Sequence, residues 1–285
     1  DYGAGTFYGI ASDNQYEETR RFVASVGSNI RPLPNNVLTL SPTIYWQRNW
    51  DHYQWKRGMT GGNKGENYHR TDVYGGALNT VVNWALGKTA LGVDLRKELI
   101  YSTAYGETLP AHQWKTIHGS DRMYERRGER TNTSLFLEHN VVLQHFTLSA
   151  GLLANHNTWL SGGLHFYPGV DLAWRPNAQW KVFASWNKAL RLPTYTDLYI
   201  SNRAQMGDQN LNPERVNTYK LGARYRTTAL QTQVNAFYSN GRDMIDWVFE
   251  TSASTRYHAL NIGKLDNMGA SVDLAFMPKE LWANS

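Results

Sequence analysis

Apolar and polar residues alternate, one after the other, through most of this chain. On one segment, for example, Val93 and Leu95 alternate with the charged residues Asp94 and Arg96. Successive side chains of a β-strand point to opposite faces, so this pattern predicts strands with one apolar and one polar face. The apolar positions that we expect on one common face are Leu38, Leu40, Ile44, Leu91, Val93, Leu95, Leu148, Leu152, Leu221 and Val234. No segment has a convincing amphipathic helical pattern, so we predict an all-β fold with almost no helix.

The connections between the predicted strands are short and long in strict alternation. Short turns are predicted near 31–36, 87–88, 141–143, 175–179, 227–229 and 277–281, and long connections near 51–69, 104–130, 191–213 and 241–255, with a shorter one near 156–161. Outer-membrane barrels sort their connections in this way, because periplasmic turns are short and extracellular loops are long. A soluble barrel such as a lipocalin also has one open end, but it has only about 8 strands, whereas roughly 11 or 12 are predicted here. We therefore predict antiparallel transmembrane β-barrel strands.

Composition supports the membrane interpretation. Aromatic residues make up 13% of the 285 residues, with 11 Trp and 17 Tyr, and cysteine is absent. Trp84, Trp174, Trp180 and Tyr225 lie beside short turns, and Trp46, Trp50, Tyr101, Trp186 and Tyr238 lie at the opposite strand ends. Two belts separated by about ten residues of strand match the thickness of a hydrocarbon core. The alternative is that these aromatic residues form the core of a large soluble β protein.

The most specific stretch of the sequence runs from Ser185 to Gly222. It reads SWNKALRLPTYTDLY, then a variable segment, then NLNPERVNTYKLG. This arrangement resembles the TonB-dependent receptor family, in which a strand ends in Arg-x-Pro, an acidic residue with Leu-Tyr follows, and Leu-x-Pro-Glu opens the next strand. The matching positions are Arg191, Pro193, Asp197, Leu198, Tyr199, Leu211, Pro213 and Glu214. The segments VNAFYSNGRDMID and NIGKLDNMGASVDL are also similar to strands of that barrel.

The resemblance implies a barrel of about 22 strands, with an N-terminal plug domain and a segment that recruits the energising protein TonB. Neither the plug, nor that segment, nor a signal peptide is visible in the sequence. We therefore expect residues 1–285 to be an internal fragment, about half, of the family's β-barrel domain. Such a fragment leaves two sheet edges unpaired, so we expect the first and last strands not to pair with each other.

Charged residues on the polar strand faces are expected to point into the barrel lumen. They are Asp94, Arg96, Glu98, Glu138, Asp171, Lys220 and Arg224. We interpret them mainly as a network that stabilises the wall or docks a plug, with direct substrate contact as the alternative. Arg191 and Glu214 lie at the two ends of one long connection and could pair. We interpret them as anchors of that loop rather than as ligand-binding residues.

Aromatic and arginine side chains on outward loops are typical of recognition surfaces. The candidate substrate-binding residues on the predicted extracellular loops are Trp50, Tyr53, Trp55, Arg57, Tyr68, Trp114, Tyr124 and Arg126. His112 and His118 share one loop and could ligate a metal or a haem, but we interpret them as solvated. The sequence has no nucleophile-elbow, HExxH or phosphate-loop spacing, so we predict no catalytic residue, no metal site and no cofactor.

From the resemblance we expect part of an outer-membrane receptor of a Gram-negative bacterium. It would take up a scarce nutrient, such as an iron chelate, cobalamin or a glycan, with energy supplied through TonB. The expected partners are outer-membrane lipid, the small nutrient ligand and, through a plug outside this chain, the TonB complex; nucleic acid is not expected. One alternative is an outer-membrane phospholipase-like barrel, but its catalytic group would lie on the outer wall, and His165 and Ser185 fall on the polar face. A passive porin, closed and constricted by a loop, is the other.

Overall fold

Antiparallel strands make up nearly all of the regular structure. The computed structural model describes residues 14–58, 65–160, 163–202, 204–251 and 253–277. In chain order the strands are β1 (Tyr16–Gly27), β2 (Leu38–Gln54), β3 (Glu66–Trp84), β4 (Gly87–Ser102), β5 (Glu107–Thr108), β6 (Lys115–Thr116), β7 (Met123–Tyr124), β8 (Arg126–Val142), β9 (Phe146–Asn157), β10 (His165–Trp174), β11 (Trp180–Arg191), β12 (Gln205–Met206), β13 (Glu214–Arg226), β14 (Leu230–Arg242), β15 (Ile245–Val248), β16 (Tyr257–Asn261) and β17 (Lys264–Phe276). The helical elements in these ranges are α1 (Tyr195–Tyr199) and two 3-10 turns at Pro34–Asn36 and Ala111–Gln113. None of these helices is long and apolar enough to cross a membrane.

The long strands form one sheet in which each strand pairs with the next long strand of the chain. Its order is β1-β2-β3-β4-β8-β9-β10-β11-β13-β14-β17, and β5 pairs with β8 beside this path. Inside the long connections, β12, β16 and β15 form a small separate sheet, and β6 pairs with β7. The strands β1 and β17 lie at opposite edges of the large sheet and, in the described ranges, do not pair with each other. The predicted all-β fold of 11 long strands is confirmed.

Short and long connections lie at opposite ends of the sheet. The shorter ones are 28–37, 85–86, 143–145, 175–179 and 227–229, and the longer ones are 55–65, 103–125, 158–164, 192–213 and 243–263. The predicted strict alternation in length is only partly confirmed, because the 28–37 connection has ten residues and the 158–164 connection has seven. The end that carries the three longest connections is the extracellular end. Three predicted bounds differ by four residues or more. The connection placed at 51–69 is shorter because β2 and β3 continue towards it, the one placed at 104–130 ends at 125 because β8 begins earlier, and the one placed at 241–255 continues to 263. The turn predicted near 277–281 falls almost wholly outside the described residues.

Continuous register places the apolar residues of all strands on one face. Val93 pairs with Leu78 on β3 and with Leu135 on β8, and the last two side chains are 42% and 45% exposed. All ten apolar residues predicted to share a face do so, and Asp94, Arg96, Glu98, Lys220 and Arg224 take the opposite face. The apolar face meets lipid and the polar face lines the lumen. The reverse arrangement would cost about 2–4 kcal/mol for each Arg or Lys at mid-membrane.

Aromatic side chains lie at both ends of this apolar band. At the end with short turns, the Trp180 and Tyr225 ring centroids are 4.9 Å apart, and the Trp84 indole N–H donates to Thr89 Oγ1 at 2.8 Å. At the extracellular end, Trp46 stacks on Tyr74 at 6.3 Å. Indole and phenol groups prefer this depth because their rings contact lipid while their polar atoms reach hydrated headgroups. The strand segments between the two belts are therefore the membrane-spanning segments.

On the lumen face, aromatic rings lie flat over glycines of neighbouring strands. Tyr45 on β2 covers Gly75 on β3, and Phe136 on β8 covers Gly92 on β4. A Cβ atom added at either glycine would overlap the ring atoms. Glycine at these positions therefore lets a large ring lie against the wall, which orders the lumen face without making it bulge.

Candidate functional site

The residues that carry the family resemblance meet at the extracellular end of the sheet. Arg191, the last residue of β11, and Glu214, the first residue of β13, are cross-strand partners. The Arg191 guanidinium donates from Nε to Glu214 Oε2 at 2.7 Å and from Nη2 to Glu214 Oε1 at 2.5 Å. Its Nη1 donates to Asp197 Oδ2 at 3.3 Å. We call these three residues the Arg191 clamp, and the predicted pairing of Arg191 with Glu214 is confirmed.

Each acidic member of the Arg191 clamp also holds a piece of backbone. Asp197 Oδ2 accepts from the Thr194 N–H at 2.9 Å, and Thr194 Oγ1 accepts from the Asp197 N–H at 3.1 Å, which caps the start of α1. Glu214 Oε1 accepts from the Ile245 N–H at 2.9 Å and so ties β15 to the same point. Burial alone would raise the pKa of Glu214, but hydrogen bonds from Arg191 and from the Ile245 N–H hold that pKa below its ordinary value.

A small apolar core lies beside α1. Leu198 on α1, Leu211 and Ala259 on β16 are 6%, 8% and 0% exposed. The half-buried side chains of Trp159, Tyr199, Ile245 and Trp247 pack against them. Pro213 is buried between Leu211 and Glu214. The apolar residues of the family motif therefore supply packing, and its charged residues fix the direction in which the packed loop leaves the wall.

Arg130 joins the 192–213 connection to the lumen face of the wall. From β8 it donates Nε to Glu98 Oε2 on β4 at 2.5 Å and Nη1 to the Pro193 carbonyl at 2.8 Å. Its guanidinium carbon lies 4.8 Å from the ring centroid of Trp159 and 5.4 Å from that of Tyr195. A desolvated cation–π contact contributes about 2 kcal/mol. The connection is therefore held over the inner surface of β4 and β8 rather than extending away from the barrel.

The connection after β4 reaches the same place. Ser102 Oγ accepts from the N–H groups of Ala104 and Tyr105 at 2.8 and 2.7 Å, which turns the chain sharply. His69 Nδ1 lies 2.7 Å from Ser102 Oγ, and the His69 ring stacks on Tyr105 with centroids 4.3 Å apart. Burial lowers the pKa of His69 to about 4, so its ring is neutral at ordinary pH. Burial raises the pKa of Tyr105, and its neighbour Thr196 of α1 opposes that rise.

Two carboxyl groups face the lumen beside this cluster. Asp51 on β2 is the cross-strand partner of His69 on β3 and of Thr19 on β1, and Glu17 lies two residues before Thr19 on the same face of β1. Asp51 Oδ1 is buried without a hydrogen-bond partner. Burial, together with the charge and hydrogen bond of Glu17, raises the pKa of Asp51 to about 7. The lumen side of the mouth therefore combines phenols, a neutral imidazole and a carboxyl group that titrates near neutrality.

Five of the eight candidate substrate-binding residues lie on strands. The predicted loop positions of four of them were wrong, whereas Tyr124, on the short strand β7, lies inside the 103–125 connection as predicted. The five are Trp50 and Tyr53 on β2, Tyr68 on β3, Tyr124 on β7 and Arg126 at the start of β8. The reason is that β2, β3 and β8 extend beyond the membrane, where water on both faces removes the need for apolar residues. Trp55, Arg57 and Trp114 lie between strands, as predicted.

Register separates the strand residues by face. Trp50 and Tyr68 lie on the outward face, which continues the lipid-facing side, whereas Tyr53 faces the lumen. Tyr124 is only 4% exposed. Arg126 donates from Nη1 to a backbone carbonyl of the preceding connection at 3.1 Å. Of these five residues, Tyr53 is therefore the one placed to meet a ligand inside the mouth.

The residues between strands are more open. Trp55 and Trp114 are each 37% exposed. The Lys56 ammonium lies 5.0 Å from the Trp55 ring centroid, and the Arg57 guanidinium lies 4.9 Å from that of Tyr16. The Trp55 ring is therefore held by a neighbouring cation, whereas the Trp114 indole N–H donates to the Leu109 carbonyl at 2.9 Å, and both rings stay open enough to contact a ligand or a partner.

Metal and catalytic sites receive no support from the described residues. They contain no group of three or more His, Cys, Asp or Glu side chains that could hold a metal ion. His112 and His118, the two loop histidines, are exposed. His165 and Ser185 lie on the lumen face of β10 and β11, as predicted.

Sequence reasoning missed several mouth residues. Asp51 could have been found from the sequence. If the alternation along β2 is extended past Trp46, the odd-numbered residues fall on the lumen side. Tyr105 and Tyr195 have no such signal. They reach the lumen wall through connections whose course depends on contacts between distant parts of the chain.

An apolar band between two aromatic belts, a polar inner face and long connections at one end define an outer-membrane β-barrel protein. The sequence model of the family described as TonB dependent receptor-like, beta-barrel, matches residues 1–284. The chain therefore belongs to the TonB-dependent receptor family.

Solved receptor structures share the fold. The FrpB iron transporter of Neisseria meningitidis (F3-3 variant) aligns with a TM-score of 0.66 at 18% identity, over 92% of this chain and 42% of that one. The hemophore receptor HasR of Serratia marcescens, solved with its hemophore HasA and heme, aligns with a TM-score of 0.71 at 14% identity, over 94% of this chain and 47% of that one. In sequence, the vitamin B12 transporter BtuB of Vibrio vulnificus is 27% identical over 121 residues, which is 42% of this chain and 18% of that protein. The chain thus spans less than half the length of these proteins.

Proposed function

We propose that residues 1–285 form part of the wall and extracellular mouth of an outer-membrane receptor for TonB-energised nutrient uptake. The nutrient is a scarce compound such as an iron chelate, cobalamin or a glycan. Family membership supports the receptor class, and the matched proteins named above are an iron transporter, a hemophore receptor and a vitamin B12 transporter. In this proposal the plug, its contact with TonB and the remaining strands of the barrel lie outside this chain.

The observation that carries the proposal is that three extracellular connections are braced together at the lumen mouth. The Arg191 clamp joins the 192–213 connection to β15 through the Ile245 N–H. Arg130 fixes the same connection to the wall, and Tyr105 brings the 103–125 connection against α1. A receptor benefits from such bracing, because a binding surface that is already ordered loses less conformational entropy when the ligand binds.

The eight candidate substrate-binding residues take different parts in this proposal. Tyr53, Trp55 and Trp114 supply contact inside or at the edge of the mouth, since their rings face the lumen or are partly open. Trp50 and Tyr68 stay candidates for recognition from the outer side of the rim, and Arg57 stays a candidate at its edge. Arg126 lies on the lumen-facing side of β8, and the buried Tyr124 supports the mouth rather than contacting a ligand directly. No catalytic step is assigned to the chain, and the lumen charges act as wall and plug contacts.

Uptake by the full-length receptor tests the proposal. We would express it in a strain that lacks its own receptors for the nutrient and follow labelled iron chelates and cobalamin, with and without TonB. We expect saturable binding in both strains and uptake only in the strain with TonB. Non-saturable uptake that survives the loss of TonB would instead identify a passive pore.

A matched pair of variants then tests the binding surface. Tyr53→Ala combined with Trp114→Ala should weaken ligand binding about tenfold, which is typical for the loss of central aromatic contacts. Trp180→Ala, at the periplasmic belt, removes an aromatic ring far from the mouth and should leave affinity unchanged. Equal effects from both changes would remove the mouth aromatics from the proposal.

A further inference from the structure

Basic side chains gather on the outward face of the sheet, directly beyond the apolar band. They occupy three successive cross-strand rows on β1, β2, β3, β4 and β8, on the same side as the lipid-facing residues. We call them the outer basic cluster, which consists of Arg20, Arg48, Arg70, Lys97 and Arg127. They do not face the lumen, so the uptake path that we propose has no use for them.

The position of these rows corresponds to the lipid headgroups. Leu95 belongs to the last apolar row, and Lys97 is the next outward residue on β4, level with the aromatic belt residues Trp46 and Tyr74. Outward residues are two apart along a strand, so rows on strands tilted about 45° are roughly 5 Å apart in height. The headgroup layer is about 5–8 Å deep on each side of the membrane. Lys97, in the first row, therefore lies at the inner margin of this layer. Arg48, about 5 Å farther out, lies within the layer, and Arg70, about 10 Å farther out, lies just beyond it.

The outer basic cluster keeps an excess of positive charge. Asp72 is 1% exposed and lies beneath Arg48 and Arg70, with N–O distances of 2.6 and 3.4 Å. Glu129 contacts Lys97 at 3.4 Å and also pairs with Arg127. The remaining member, Arg20, is paired with Glu18. Five basic groups thus stand against three carboxylates, which leaves an excess of two positive charges on this surface.

Aromatic rings hold the guanidinium groups flat against the sheet. The Arg48 guanidinium carbon lies 5.1 Å from the ring centroid of Trp46 and 5.6 Å from that of Trp50. That of Arg70 lies 4.9 Å from the Tyr101 ring centroid. A guanidinium stacked in this way still presents N–H groups along its edge, which is the geometry that binds phosphate in pairs of hydrogen bonds.

We propose that the outer basic cluster binds the phosphate groups of an outer-leaflet lipid, which in this membrane is lipopolysaccharide. An apolar wall runs directly below the cluster, where Leu78 and Leu135 are 42% and 45% exposed on either side of Val93. One molecule with acyl chains and a phosphorylated headgroup therefore matches both surfaces at once. Free inorganic phosphate would use only the upper one. Basic groups at headgroup depth are recognised lipid-binding features of membrane proteins.

Titration of the purified full-length receptor in mild detergent tests this site. The probes are bisphosphorylated lipid A, the same lipid without phosphate, and inorganic phosphate. Lys97→Gln with Arg127→Gln removes two exposed charges and leaves the pairing of buried Asp72 intact. The matched control, Lys220→Gln with Arg224→Gln, removes two charges from the lumen face.

We expect the Lys97/Arg127 variant to bind bisphosphorylated lipid A about 25-fold more weakly, since each basic group near an anionic headgroup contributes a factor of about five. The lumen control should bind like the unchanged protein. Glu129→Gln should bind more tightly, because it removes a competing carboxylate, and it provides a readout of opposite sign if the double variant folds poorly.

Three results would overturn the proposal. The first is unchanged lipid affinity in both the Lys97/Arg127 and the Glu129 variants. The second is an equal loss in the lumen control, which would indicate an effect of net charge alone. The third is binding of inorganic phosphate as tight as that of the lipid, which would identify a site for a free anion.

Discussion

Replacing Glu214 with alanine tests whether the Arg191 clamp determines the stability of the mouth. The change removes the acceptor for two Arg191 hydrogen bonds and for the Ile245 N–H. Because β11 and β13 stay paired along the membrane-spanning wall, the loss falls on the 192–213 connection and α1. We therefore expect local opening of this loop, with the barrel itself intact.

The expected magnitude follows from burial. Breaking a fully buried ion pair costs about 3–5 kcal/mol. The Glu214 side chain is 8% exposed, but that of Arg191 is 46% exposed, and water can solvate the freed guanidinium. An exposed pair contributes only about 0.2–1 kcal/mol, so we place this half-buried pair between the two limits, at about 2–3 kcal/mol. At about 1.4 kcal/mol per factor of ten, the open form of the loop rises roughly 30- to 150-fold.

Native-state hydrogen exchange of the full-length receptor measures this opening. The reporter amides are those of Leu198 and Ile200, which donate to the Thr194 and Thr196 carbonyls at 3.2 and 3.1 Å. Their protection should fall by the factor given above.

Arg215→Gln is the matched control for this experiment. Arg215 follows Glu214 on β13 and forms an exposed pair at 2.7 Å with Asp243, which lies just after β14. This variant should change protection less than about threefold. If Glu214→Ala changes these amides no more than the control does, the clamp does not hold the loop.

Three further changes address the wall and the lumen. Val93→Arg places a charge in the apolar band and should lower the unfolding free energy by about 2–4 kcal/mol, seen as less folded, heat-modifiable receptor in the outer membrane. Gly92→Val drives its side chain into the Phe136 ring and should cost about 1–3 kcal/mol, seen as a lower thermal midpoint. Asp51 has a pKa raised to about 7 in the folded protein, whereas its ordinary pKa is about 4. Between these two pH values the folded protein holds a proton on Asp51 that the unfolded chain has released. The stabilisation from this proton is therefore complete below about pH 4 and is lost as the pH rises to about 7. Asp51→Asn, which cannot titrate, should make the thermal midpoint less dependent on pH between these two values.

A control substitution for each of these three variants distinguishes the proposed mechanism from a non-specific loss of folding. Asp94→Arg, one residue from Val93 but on the lumen side, should leave the amount of folded receptor nearly unchanged. Gly151→Ala has room for its Cβ, whose nearest neighbour lies at 3.6 Å, and should be tolerated. Asp171→Asn, also on the lumen face, should keep the pH dependence of the parent. A pH profile that is equally steep in Asp51→Asn and the parent would contradict the assigned titration.

Within the membrane, the sequence was sufficient to predict the fold and the orientation of side chains. Lipid on one side and a wet lumen on the other impose opposite chemistry on alternate residues, so Val93 and Asp94 report their faces directly. The pairing of Arg191 with Glu214 was predictable because both lie at the ends of one connection. Fixed strand pairing then brought the two residues together.

Beyond the membrane the same reasoning fails for a physical reason. Water meets both faces there, so the composition of β2 and β3 stops alternating although their hydrogen-bonded ladder continues. Tyr53 and Tyr68 were therefore assigned to a loop. The small sheet of β12, β15 and β16, and the packing of Arg130 between Trp159 and Tyr195, depend on contacts between distant segments that no local pattern encodes.

The chemistry of the mouth follows from the polarity of the lumen. A loop that folds over a water-filled interior cannot be held by a large apolar core, because the wall beneath it must stay polar for the barrel to function. Its apolar packing is limited to a few residues such as Leu198 and Leu211, so orientation depends on directional contacts. Guanidinium groups supply these directional contacts and remain compatible with a polar wall. Arg191 makes three hydrogen bonds to carboxylates, and Arg130 contacts a carboxylate, a backbone carbonyl and two aromatic rings. The outer basic cluster applies the same chemistry at the other polar boundary of the wall, where stacked arginines meet the headgroup layer.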